Sequence, residues 1–193
     1  MDPRDYFSEL YRSLDRFEVQ DEHARVLTQA AGLSGVIEWI EKLQKKKGKV
    51  IFVGNGGSAA IASHQAVDLW KNGGIRAVAF NDASLLTCLS NDYSYAEVFE
   101  KSLAMFAEPE DVLIAISSSG KSANILKAVD KARSIGCRVA TLSGFKPDNP
   151  LRTKGHLNFY VSSESYGMVE VAHLTLCHYI TDHFVARAAS ASK

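Results

Sequence analysis

Twice in this chain an apolar run ends in a cluster of glycines and serines and passes directly into a helix-like stretch. Val50-Ile51-Phe52-Val53 leads into Gly54-Asn55-Gly56-Gly57-Ser58, and Val112-Leu113-Ile114-Ala115-Ile116 leads into Ser117-Ser118-Ser119-Gly120-Lys121-Ser122. A strand that stops in small residues and becomes a helix turns backbone N–H groups, hydroxyls and the positive end of a helix dipole toward one point. That arrangement suits a phosphate. Two of them in one short chain point to a phosphorylated small molecule.

The same alternation runs through the chain from Lys49 onward. It predicts strands at 50–53, 77–80, 112–116, 138–142 and 157–161, and helices near 58–71, 83–90, 94–106, 122–135 and 168–187. Strands that alternate with helices imply right-handed crossovers and a five-stranded parallel sheet covered on both faces, a three-layer αβα sandwich. Gly136 is a helix stop, and Phe145-Lys146-Pro147-Asp148-Asn149-Pro150 is a loop with two prolines. Ahead of this core, Phe7, Leu10, Tyr11, Leu14 and Phe17 share one helical face between Tyr6 and Val19. Val26, Leu27, Ala30, Leu33, Ile37, Ile40 and Leu43 share another between Glu22 and Lys46, with Gly32 and Gly35 weakening its middle. Both stripes read as core or subunit interface. The expected organisation is one domain over 1–193, with an N-terminal helical segment at 4–47, an αβα core at 48–188 and a fraying tail from Ala186.

Lys+Arg and Asp+Glu both number 22, so the net charge is zero and nothing favours a nucleic-acid or anionic-membrane partner. The run Lys45-Lys46-Lys47 reads as a solvated helix end. Cys88, Cys137 and Cys177 lie far apart without CxxC spacing and read as reduced thiols. The N-terminus carries no apolar signal core, and no stretch approaches the roughly 18 apolar residues of a membrane span. The expectation is a cytoplasmic protein.

Four side chains could carry chemistry beyond the turns. His64 and Asp68 lie four apart on the helix after the first turn, where an imidazole and a carboxylate can share a proton, a divalent metal or a plain surface hydrogen bond. Glu170 and His178 interrupt an apolar helix on one stripe, about 12 Å apart along its axis, and are costly to bury unpaired. His173 lies off that stripe and reads as a hydrogen-bonded core histidine; His23, His156 and His183 show no partner. The serine turn also has a bland reading, ordinary helix capping. Neither turn fits the Walker A or GxGxxG spacing, so no nucleotide cofactor is expected.

Taken in order, Gly54-Asn55-Gly56-Gly57-Ser58, His64, Asn91-Asp92-Tyr93 and Ile116-Ser117-Ser118-Ser119-Gly120-Lys121-Ser122-Ala123-Asn124 resemble a sugar isomerase (SIS) domain. The closer likeness is to the bacterial phosphoheptose isomerases, over nearly the whole chain. The resemblance implies a parallel αβα fold and a homotetramer. It also implies conversion of sedoheptulose 7-phosphate to a heptose 7-phosphate for surface-polysaccharide precursors. It assigns phosphate binding to Ser117, Ser118, Ser119 and Ser122, and sugar contacts to Asn55, Gly56, Gly57, Ser58, Asn91 and Asp92. The family's His-then-Glu helix pair corresponds to His64 and Asp68, and its Gln-then-His pair to Glu170 and His178. Some members bind zinc through these four positions, so the resemblance allows zinc at His64, Asp68, Glu170 and His178.

This chain departs from the family pattern at three places. Asp68 is one methylene shorter, Glu170 replaces an amide, and Tyr166-Gly167-Met168 lacks the polar residues that address the far end of the sugar. The resulting expectation is an aldose–ketose isomerase in which Asp68 or Glu170 takes the proton beside the carbonyl and His178 serves the enediol oxygens. His64 orients Asp68 or ligates a metal. The alternatives are an isomerase of another sugar phosphate and a non-catalytic SIS module that binds a sugar phosphate or a protein, as replication-initiator-associating relatives do.

Overall fold

The structure, a computed structural model, describes residues 2–191. Its strands are β1 (Glu18–Asp21), β2 (Val26–Leu27), β3 (Val50–Val53), β4 (Ala77–Ala79), β5 (Val112–Ser117), β6 (Arg138–Gly144) and β7 (Leu157–Val161). Its helices are α1 (Pro3–Asp15), α2 (Gln29–Lys45), α3 (Gly57–Lys71), α4 (Ala83–Asp92), α5 (Val98–Phe106), α6 (Ala123–Ile135) and α7 (Tyr166–Ala191). The sheet order is β2-β1-β7-β6-β5-β3-β4, with parallel pairing from β7 to β4. The expected five-stranded parallel sheet is therefore present, and two antiparallel strands extend it at one edge.

Those two strands correct the reading of the N-terminal segment as purely helical. α1 stops at Asp15, and Phe17 and Val19 then alternate inward, 7% and 1% exposed, as a strand requires. The Asp21 carboxylate accepts from the N–H groups of His23 and Arg25 at 2.9 and 3.0 Å and so closes the hairpin turn. α2 cannot begin at Glu22, because Val26 and Leu27 pair with β1 and Thr28 caps the helix by accepting from Ala31 N. Gly32 lies where α2 crosses β1: a Cβ there would sit 2.5 Å from Val19 Cγ1. At the other end α7 continues through the expected tail to Ala191; Ser192 and Lys193, like Met1, lie outside the described residues.

Side chains alternate across the central strands and build a core on each face of the sheet. Val50 and Phe52 of β3, with Ile114 and Ile116 of β5, pack toward α2, α3 and α7. Ile51, Val53, Leu113 and Ala115 pack toward α5 and α6. Strands buried on both faces read as continuous apolar runs, which is why these were legible. Two of the cysteines are buried, and loss of hydration pushes the thiols up, Cys177 to about 12 and Cys137 to about 11; Cys88 is exposed. Among the described residues no helix is long and apolar enough to cross a membrane.

Candidate active site

β3 and β5 are hydrogen-bonded neighbours in parallel register, Val53 opposite Ala115, so the two glycine/serine turns leave the same edge of the sheet side by side. Each turn is shaped by what its glycines lack. A Cβ on Gly54 would collide with the backbone of Ser58, and Gly56 has φ +55, a conformation that side chains disfavour. Gly120, at φ +62, lies against the side chain of Asn149. Asn149 in turn donates to the carbonyls of Gly144 and Lys146 at 3.1 and 2.9 Å, bracing the serine turn from behind.

Between the turns lies a pocket of about 290 Å³. One wall is Asn55, Gly56, Gly57 and Ser58 at the start of α3; the other is Ser117, Ser118, Ser119 and Ser122 before α6; Tyr166 and Glu170 of α7 close the third side. Three helix N-termini therefore face one space, which favours an anion. The hydroxyls are not spent on capping. Ser122 occupies the cap position of α6 without a side-chain cap bond, its Oγ lying 3.3 Å from Ser117 Oγ. Ser118 Oγ is buried with no hydrogen-bond partner among the described residues, so this hydroxyl is not spent within the protein. Behind the pocket His173 is fully buried, its Nε2 3.1 Å from the carbonyl of Ser143. Burial holds this imidazole at about 4, so it stays neutral.

A second group gathers further along the same helices. α3 and α7 pack side by side and run the same way: Gly57 faces Glu170, and His64 faces His178 with ring centroids 5.3 Å apart. A buried bond from Thr181 Oγ1 to Gln65 Oε1 at 2.8 Å holds that register. His64 Nε2 lies 3.4 Å from Asp68 Oδ2, and one ligand-capable atom each from His64, Asp68 and His178 falls within 4.8 Å of the others. Glu170 is not in this group. It stays two turns back, at the pocket.

Residues 5–144 match the SIS domain family. The chain belongs to that family. It is 35% identical to the phosphoheptose isomerase of Helicobacter pylori strain P12 over 149 residues, 74% of this chain and 77% of that protein. It is 37% identical to the phosphoheptose isomerase of Sodalis glossinidius over 146 residues, 73% of this chain and 72% of that protein. The solved phosphoheptose isomerase of Neisseria gonorrhoeae superposes with a TM-score of 0.81 at 28% identity, covering 94% of this chain and 96% of that one. As a SIS domain with isomerases for relatives, the chain is a sugar-phosphate isomerase enzyme.

Within this SIS domain the sequence-derived residues divide. The pocket brings together Asn55, Gly56, Gly57, Ser58, the four serines and Glu170; the cluster brings together His64, Asp68 and His178. Asn91 and Asp92 do neither: they stand exposed at the end of α4, where Asn91 Nδ2 donates to Asp92 Oδ1 at 3.0 Å. Two imidazoles and one carboxylate in reach of each other fit a zinc ion, whose catalytic sites use three protein ligands of these kinds and keep a position open. The four-residue set expected for zinc is present here as three plus one. Sequence reasoning passed over Tyr95 and Asn124, which both bond Asn55. Asn124, a poor helix former placed directly after the serine turn, carried a weak signal; Tyr95 carried none.

Proposed function

We propose that this protein is a phosphoheptose isomerase, interconverting sedoheptulose 7-phosphate and D-glycero-D-manno-heptose 7-phosphate through an enediol. The observation that carries this reading is the spacing of two unlike sites on one helix. The anion pocket is at the start of α3, and His64 lies seven residues on, a rise of about 10 Å. An extended sugar phosphate spans a gap of that order, its phosphate at one end and its carbonyl at the other.

In this reading Ser117, Ser118, Ser119 and Ser122 hold the phosphate, while Asn55, Gly56, Gly57 and Ser58 line the sugar beside it. Asp68, within reach of both imidazoles, takes the proton from C1 of the ketose as His178 protonates the carbonyl oxygen at C2. The enediol then loses its O1 proton to His178 and regains a proton at C2 from Asp68, which leaves the aldose. His64 orients Asp68. Glu170 accepts hydrogen bonds from sugar hydroxyls at the pocket mouth. Zinc held by His64, Asp68 and His178 would supply Lewis acidity toward the carbonyl oxygen.

We extend the reading to a cytoplasmic homotetramer that feeds surface-polysaccharide precursors. The support for self-association is apolar surface with nothing to cover it in one copy: Phe7 and Tyr11 on α1, and Trp70 and Tyr179 on α3 and α7, all more than half exposed. The test is a coupled assay with sedoheptulose 7-phosphate, with and without zinc, on the wild type and on His178→Ala. Wild-type turnover that the variant loses while still binding substrate supports the assignment. Binding without product in the wild type would instead favour a sugar-phosphate-binding module.

A further inference from the structure

Asn55 belongs to the turn after β3, and Asn124 to the first turn of α6, on the opposite side of the pocket. Their side-chain amides bond reciprocally. Asn55 Nδ2 donates to Asn124 Oδ1 at 2.9 Å, and Asn124 Nδ2 donates back to Asn55 Oδ1 at 2.9 Å. Tyr95, from the short 3-10 turn Tyr95–Glu97 that leads into α5, donates its hydroxyl to the same Asn55 Oδ1 at 2.8 Å. Three distant parts of the chain thus meet on one carboxamide.

The hydrogen-bond inventory of that carboxamide is nearly used up. Its oxygen has two lone pairs, and both are engaged, by Asn124 and by Tyr95. Its nitrogen has two hydrogens, and one is engaged. What remains to face the pocket is a single N–H. Turning the Asn55 amide over by itself would set its NH₂ against the NH₂ of Asn124, so the pair resists the flip that a free asparagine makes at little cost.

We propose that Tyr95 and Asn124 are positioning residues for Asn55, fixing it as a donor-only contact to an oxygen of the bound sugar. The proposal rests on the isomerase reading and adds a specificity rule to it: the sugar atom beside Asn55 is read as an acceptor. It also gives the exposed Tyr95 a task, since a tyrosine 55% exposed with its hydroxyl turned inward is otherwise unexplained. Asn124 is 2% exposed, and its loss endangers the fold, so Tyr95 is the better probe.

The experiment is a double-mutant cycle in steady-state kinetics on the full chain, using Tyr95→Phe, Asn55→Ala and the pair, with inorganic phosphate as competitive inhibitor. Tyr95→Phe is expected to raise KM for sedoheptulose 7-phosphate about tenfold with kcat within about threefold, the pattern of a lost binding contact. The inhibition constant of inorganic phosphate should stay within twofold, because the serine turn is untouched. In the Asn55→Ala background the same change should add nothing, since the group it acts through is gone. An active wild type with Tyr95→Phe indistinguishable from it, or with equal effects in both backgrounds, overturns the clasp and leaves the isomerase reading standing. Weakened inorganic phosphate binding in Tyr95→Phe also overturns it, by showing general damage to the pocket. A wild type that turns over no sugar phosphate overturns both.

Discussion

A Cβ placed on Gly57 would lie 2.5 Å from the carboxyl carbon of Glu170. The first residue of α3 and a carboxylate from α7 thus compete for the same space, and the absence of a side chain at position 57 lets Glu170 stand at the pocket. Gly57 has no positive φ, so alanine suits its backbone and is the better helix former. Gly57→Ala should therefore fold normally, with stability unchanged or raised by up to about 1 kcal/mol, while the Glu170 carboxylate is pushed off its position. The expected result is a fall of at least tenfold in kcat/KM at an unchanged or raised melting temperature. Wild-type kinetics in that variant would remove Glu170 from the substrate-contacting set.

Ser118 tests the phosphate grip. Its hydroxyl is buried without a partner, an arrangement that costs on the order of 1 kcal/mol or more in the ligand-free protein. Ser118→Ala should leave thermal stability equal or slightly higher and weaken inorganic phosphate binding about tenfold, measured by calorimetry and by competition. A clear drop in melting temperature with phosphate binding intact would make the hydroxyl structural instead.

The buried histidine sets an acid limit on the fold. His173 is held at about 4, against an ordinary value of 6.5, because burial disfavours its charged form. The unfolded chain takes up a proton below about pH 6.5 that the folded protein refuses. This contribution is full above that pH and declines as pH falls through 6.5 toward 4. At pH 5 the loss is about 2 kcal/mol. Denaturant midpoints at pH 7 and pH 5 should differ more for the wild type than for His173→Asn, whose side chain has no such proton to refuse. Equal pH dependence in the two would contradict the burial of a neutral imidazole.

How much of this could be read in the sequence depended on whether the cause was local. The runs 50–53 and 157–161 coincide with β3 and β7, because strands buried on both faces are apolar almost throughout; the exception in β7, Asn158, is buried with its amide hydrogen-bonded to Thr141 and Gly155. β1 was hidden: Phe17 continues the three-and-four spacing of Phe7, Leu10 and Leu14, and only pairing with the edge of β7 makes Glu18–Asp21 a strand. The two turns were legible because their chemistry sits within five or six consecutive residues. The separation of Glu170 from His178 followed from helical rise alone. The bonds that Tyr95 and Asn124 make to Asn55 were not legible, since they cross 40 and 69 residues: the position of Asn124 after the serine turn is a weak local signal, and nothing local marks Tyr95.

The central claim is proton transfer along a sugar chain anchored by its phosphate. Its most direct test is incubation of the purified protein with sedoheptulose 7-phosphate in D₂O, followed by ¹H and ³¹P magnetic resonance. The expected result is a heptose 7-phosphate aldose carrying deuterium at C2, formed by the wild type and not by His178→Ala. Unchanged, undeuterated sedoheptulose 7-phosphate in the wild-type reaction, with and without added zinc, would contradict the account.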